Sequence, residues 1–245
     1  MIDRAGELAT LAQLEATRAQ VEPSSHPTTR LGAVLLDFHN TLAVPRSIDD
    51  WLSDARGLLV SGQRLPSPES IRDVWRNAKR LFPNRDWDLD PSLHRSTFIQ
   101  TLSCCGETST EVAGALYDVM PQQWVLNEGA LSFIHRATRA GVRLAVLSNI
   151  AIDIRPALEG WGIASSFHAV ILSYEVGCVK PDARIFKLAV DALEVPATDC
   201  LMIGDSEHDD TGGTVLGMQS LISKPEEMRR AFGLVGAVMA SGVGR

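Results

Sequence analysis

The spacing of hydrophobic positions changes several times along this chain, and the changes divide it into segments. Across residues 3–20, Leu8, Leu11 and Leu14 recur at helical spacing with charges between them, and Val21 follows. This predicts one amphipathic helix. The stretch EPSSHPTTR (22–30) then reads as a Pro/Ser/Thr linker. Residues 1–30 are therefore expected to form an appendage. From residue 33 the pattern becomes short and continuous. AVLLDF (33–38), VRLAVLSN (142–149), HAVILS (168–173) and CLMIGD (200–205) are unbroken apolar runs, and QSLIS (219–223) is a weaker copy. Runs of this kind predict strands buried on both faces of a parallel sheet.

Helical segments separate the strands. Asn127 can cap EGALSFIHRATRA and Gly141 can end it, while Pro181 stands where the first turn of DARIFKLAVDALEV would begin. From residue 125 on, helices and strands alternate. The predicted class is α/β, a doubly wound parallel sheet with right-handed crossovers. Between the first two strands lies a long stretch without β pattern, carrying Trp51, Trp75, Trp87 and Phe98. A crossover needs only about a dozen residues, so residues 45–122 are predicted to be an inserted helical domain. Residues 31–44 and 123–245 are the core.

Composition narrows the partners. The 245 residues include 23 Lys and Arg against 30 Asp and Glu, a net charge of -7. That balance disfavours nucleic acid, whose backbone needs a basic surface. No apolar stretch approaches the length of a membrane span, and the first 30 residues lack the apolar core of a secretory signal. Cys104, Cys105, Cys178 and Cys200 show no metal-ligand spacing. A cytoplasmic protein, monomeric or homodimeric, is expected.

Four polar residues stand at or just beyond the carboxyl ends of four predicted strands: Asp37, Ser148, Lys180 and Asp205. Ligands of open α/β sheets bind at that edge. The residue types form a coherent set. Asp37 can attack an electrophilic phosphorus. Asp205, with Asp209 or Asp210, can hold a hard cation such as Mg²⁺ through oxygen. Ser148 and Asn149 can donate to phosphoryl oxygens, and Lys180 adds positive charge. His208 is read as an exposed loop residue, since Mg²⁺ prefers oxygen. Arg46, Arg76, Arg80, Arg85 and His94 of the insertion receive no role, and its tryptophans are read as core.

LLDFHNTL, LAVLSN, VGCVKPDARIF and MIGDSEHDD, in this order, resemble the four motifs of the haloacid-dehalogenase superfamily. The position of the insertion resembles the subgroup with a helical cap after the first motif. The resemblance implies a Rossmann-like core, an aspartyl-enzyme intermediate at Asp37 and, usually, Mg²⁺. It places Thr41 and Ser148 with the substrate, Lys180 beside Asp37, and Asp205 with Asp209 or Asp210 on the metal. One departure stands out. Family phosphatases carry a second Asp two residues after the nucleophile, as general acid and then base, whose backbone carbonyl also ligates the metal. Here that residue is His39, whose carbonyl remains available; either its imidazole carries the proton relay, or the relay is lost and activity is slow, altered or absent. Asn40, where glycine is commoner, is expected at positive φ.

The leading expectation is a Mg²⁺-dependent phosphatase of a small organic phosphate. One alternative is a metal-independent, dehalogenase-like hydrolase; repulsion within the acidic cluster at 205–210 argues against it. A non-catalytic descendant that binds a phosphorylated ligand is another, with His39 as the feature in its favour.

Overall fold

Strand β1, Ala33–Leu36, is buried on both faces, and its alternation explains why its sequence is continuously apolar. Val34 and Leu36 enter one hydrophobic cluster, Ala33 and Leu35 the other. The structure, a computed structural model, describes residues 31–104 and 108–242. The predicted N-terminal helix and linker, and Cys105, lie outside those residues. Residues from Leu31 onward form one compact unit.

Five strands make the main sheet, in the order β5-β4-β1-β6-β7. The partners of β1 are β4, Arg143–Ser148, and β6, Cys200–Gly204; β5, Ala169–Leu172, and β7, Gln219–Ile222, lie outside them. Every pairing is parallel. In β4, Leu144 and Val146 repeat the choice of Val34 and Leu36, while Ala145 and Leu147 face the other way. Helices on both faces satisfy this two-sided demand. Ile185, Phe186, Ala189 and Leu193 of one helix, Ala183–Leu193, pack on the Ala33/Leu35 face. On the opposite face Phe133 of Ala130–Arg139 stacks with Phe232 of Met228–Gly242, ring centroids 5.0 Å apart. The chain winds outward from β1 to β4 and β5, then restarts at β6 on the other side. Loops therefore diverge around the carboxyl end of β1, the switch point where such sheets bind ligands.

Between β1 and β4 the chain leaves the sheet and returns. The outgoing β2, Ala43–Pro45, pairs antiparallel with the returning β3, Trp124–Leu126. Gln123 ties this junction to the insertion by donating to the Asp54 carboxylate at 2.9 Å. Five helices follow β2: α1 Ile48–Arg56, α2 Pro68–Arg72, α3 Val74–Leu81, α4 Pro91–Cys104 and α5 Thr110–Asp118. They surround their own apolar cluster, with Phe98, Leu102, Val112 and Leu116 at its centre. Trp51 and Trp75 pack against it, in line with their reading as core: Trp51 stacks on Phe98, and Trp75 on Trp87, which lies outside the cluster. No described helix is long and apolar enough to cross a membrane.

Two expected caps differ. The helix Ala130–Arg139 is preceded by Gly129 at φ 87, not capped by Asn127, whose amide instead donates to the Thr41 carbonyl at 3.0 Å. That bond joins the end of β3 to the turn after β1. Pro181 does not open the next helix either; Asp182 caps it, accepting from Arg184 N. Gly141 ends its helix at φ 69, as predicted.

Phe133 is fully buried and its loss leaves a cavity between two helices. Phe133→Ala should therefore cost about 3–5 kcal/mol of stability, read as a lower urea midpoint with unchanged slope.

Candidate active site

Asp37 follows β1 directly, and its backbone N–H extends the sheet by donating to the Ile203 carbonyl at 2.9 Å. The chain then turns sharply, Ala43 N–H donating to the Phe38 carbonyl at 2.8 Å, with Asn40 at φ 59. Asn40 meets that conformation as the sequence suggested. Phe38 turns into the core and anchors the turn. The Asp37 carboxylate stays at the sheet edge, only 7% exposed.

Lys180 reaches it from the loop after α6, where α6 here denotes the short helix Ser173–Val176 that follows β5. Its Nζ donates to Asp37 Oδ1 at 2.7 Å and to Asp210 Oδ1 at 2.6 Å. Burial lowers the pKa of this ammonium, but Asp37 and Asp210 outweigh it and hold the Lys180 pKa above its ordinary value. Asn149, just past β4, braces this lysine. Its side-chain oxygen accepts from Lys180 N–H at 2.7 Å and its amide donates to the Lys180 carbonyl at 2.9 Å. The Asn149 amide, expected to serve a phosphoryl group, donates here to the lysine loop. Ser148, at the end of β4, lines the cavity and is buried.

Beyond β6, Asp205 and Asp210 complete the group. One carboxylate oxygen from each of Asp37, Asp205 and Asp210 lies within 4.8 Å of the others. Gly204 makes this approach possible, because a Cβ there would collide with the Asp210 carboxylate. The Asp205 pKa is pushed up to about 6, first by burial and then by Asp37, with Asn40's hydrogen bond opposing. Asp210 is raised by burial, partly offset by Lys180, with Asp37 adding to the rise. Crowded, partly desolvated oxygens of one sign are what a hard dication relieves, so the donor set fits Mg²⁺. The sequence left Asp209 and Asp210 open as ligands. Asp210 belongs to this group; Asp209 turns aside, its carboxylate accepting from Ser206 Oγ at 2.9 Å and pairing with exposed His208.

His39 lines the same cavity, its ring edge-on to Phe38 and Trp124. Burial, and then the Lys180 charge, push its pKa down to about 4. At that value the ring is neutral near pH 7, with one N–H and one basic nitrogen. Thr41 is not among the residues lining the cavity; its hydroxyl is buried without a hydrogen-bond partner among the described residues.

The cavity has a volume of about 280 Å³, and every residue that lines it carries a polar side chain. One contributor was missed in the sequence. Asp88, in the 3-10 turn Trp87–Leu89 of the insertion, faces into it. The only signal was an acidic run, DWDLD, beside a tryptophan, which reads equally well as solvated surface. Of the insertion's basic residues, Arg46 instead pairs with Asp54 at 3.0 Å, Arg76 with Asp73 at 2.9 Å, and Arg85 bonds Gln100 at 2.8 Å.

The family model for haloacid dehalogenase-like hydrolases matches residues 31–217. Over 186 residues the chain is 31% identical to mouse haloacid dehalogenase-like hydrolase domain-containing protein 3, covering 71% of this chain and 73% of that protein. A phosphoserine phosphatase from Thermus thermophilus is 36% identical over 111 residues, 45% of this chain and 44% of that one. Among solved structures, a 2-haloacid dehalogenase from Pseudomonas syringae superposes with a TM-score of 0.57 at 20% identity, over 80% of this chain and 87% of its own. At that identity the likeness is one of fold.

Removing the shared ammonium leaves two buried carboxylates unpaired. Lys180→Met should lower stability at pH 7 by about 3–5 kcal/mol. Part of the loss should return on acidification to pH 5, as protonation removes the unpaired charge; urea titrations at the two pH values would read both effects.

Proposed function

The chain belongs to the haloacid dehalogenase-like hydrolase family, and we propose that it is a Mg²⁺-dependent phosphatase acting on a small organic phosphate through an aspartyl-phosphate at Asp37. The observation that carries this reading is the charge pattern of one cavity: Asp37 and Asp210 share the buried Lys180, with Asp205 beside them, in a lining without an apolar side chain. A haloalkane substrate would need an apolar wall for its carbon and halogen. A phosphoryl group needs an ammonium, hydrogen-bond donors and a dication. The likeness of part of the chain to a phosphoserine phosphatase supports the same choice.

Each residue then has a physical task. Lys180 orients Asp37 through Oδ1, leaving Oδ2 to attack phosphorus. Ser148 offers its hydroxyl to a phosphoryl oxygen. Asn149 fixes the lysine's backbone from both sides. Asp37, Asp205 and Asp210, with the His39 carbonyl that the family uses, would hold Mg²⁺. When bound, the dication neutralises phosphoryl charge so that an anionic nucleophile can approach an anionic ester. The helical insertion acts as a cap, excluding water and selecting the substrate. The cavity volume, about 280 Å³, lies just below the range typical of drug-sized ligands, in keeping with a small ester.

Asp37→Asn should abolish turnover while leaving the fold intact, because the amide is nearly isosteric and a poor nucleophile. Phosphate release from a panel of phosphorylated metabolites, with circular dichroism as the fold control, would test it; retained activity would refute the assignment. Chelation should remove activity, and Asp210→Asn should raise the Mg²⁺ requirement far more than Asp209→Asn. Full rates in chelator would favour the metal-independent alternative.

A further inference from the structure

From the position of one insertion carboxylate we infer that Asp88 is the proton donor to the leaving group, standing in for the acid that family phosphatases carry at position 39. This assignment rests on the phosphatase reading above. Two anchors fix where Asp88 sits. On the core side, Ser173 Oγ, at the carboxyl end of β5, donates to the Asp88 carbonyl at 2.6 Å while it accepts from Ile150 N–H at 2.9 Å. On the insertion side, Trp87 stacks on Trp75, whose ring lies 4.3 Å from that of His94. Backbone and neighbour are thus both held, and Asp88 lines the cavity that Asp37 also lines.

Charge makes an ionised Asp88 a poor fit there. The cavity gathers five carboxylates around one ammonium. Asp37 and Asp210 share Lys180, Asp205 accepts from Asn40 at 2.9 Å, and Asp209 has Ser206 and His208. Among the described residues no hydrogen bond reaches the Asp88 carboxylate, and His94 Nε2 stands 4.0 Å away. His94 cannot supply a full charge: its Nδ1 bonds the Tyr117 hydroxyl at 2.8 Å, and burial pushes its pKa down to about 3. A dianionic ester would meet Asp88 as one more negative charge unless that group carries a proton. Burial, then Asp209 and Asp86, push the Asp88 pKa up to about 7 against the pull of Lys180, which agrees with the geometry.

The proton balance closes. As Asp37 bonds phosphorus and the ester P–O bond breaks, Asp88 gives its proton to the departing oxygen, and the alcohol leaves. The Asp88 carboxylate then takes a proton from the water that attacks phosphorus. The Asp37–phosphorus bond breaks, phosphate leaves and Asp88 is protonated again.

The test uses the full chain with Mg²⁺ and two esters of similar size, phenyl phosphate and 4-nitrophenyl phosphate, followed through the first turnover. Asp88→Asn should slow phenol release by about 10²-fold or more, within the usual effect of a general acid. Release of 4-nitrophenol, which needs little protonation, should fall by less than about tenfold. Asp88→Glu should recover part of the phenyl phosphate rate. The Asn variant should fold, since it removes a half-buried carboxylate that its neighbours repel. Equal slowing of both esters would overturn the role of Asp88 while leaving the phosphatase reading standing. A parent inert to both esters would remove that reading, and this assignment with it.

Discussion

Lys180 is buried between Asp37 and Asp210, and most of the site's geometry follows from that ammonium. Its two partners lie on loops after neighbouring strands, β1 and β6, whose ends would otherwise bring two desolvated carboxylates together at a prohibitive cost. The lysine comes from the far side, beyond β5, and its backbone is clamped by Asn149 at the end of β4. One residue, through its ammonium and its backbone, therefore ties together the loops beyond four parallel strands. Each hydrogen bond it makes offsets part of the cost of burying its charge, and the two carboxylates together hold it protonated.

The same arrangement explains why the cavity suits a metal and an anion in turn. Lys180 supplies one positive charge to three converging carboxylates, and burial first, with the Asp37 charge adding to it, raises the Asp205 and Asp210 pKa values. A dication relieves the repulsion among these carboxylates and leaves the cavity less hostile to a phosphate. Gly204 is the backbone condition for all of this, since any side chain there would occupy the space of the Asp210 carboxylate.

The insertion contributes more than cover. Its apolar cluster is its own, built on Phe98 and Leu116, yet its 3-10 turn is pinned to the sheet edge by Ser173. The turn carries Asp88 and, through the Trp87–Trp75 stack, connects to buried His94. A side chain far from the motifs in sequence thereby joins Asp37, His39 and Lys180 around one small volume.

The parallel sheet could be read from the sequence because strands buried on both faces need apolar residues at every position, and such runs ending in Asp37, Ser148 and Asp205 mark one functional edge. The gap between the first two strands is far longer than any crossover, which points to an insertion; mostly helical elements lie there. Local sequence also forecast Asn40 at positive φ and Gly141 at its helix end. It could not say whether Asp209 or Asp210 turns inward, because one residue's difference in a loop reverses a side chain and only the space beside Gly204 decides it. Nor could it give Asn127 its bond to the Thr41 carbonyl, or Asn149 its hold on Lys180, since both join segments distant in the chain. Asp88 was invisible for the same reason. A carboxylate in an acidic run looks solvated until the packing of Trp87 and the bond from Ser173 bring it to the cavity. The protonation of His39 and Asp88 was likewise beyond the sequence, because a pKa depends on burial and neighbouring charge, and those exist only once the chain is folded.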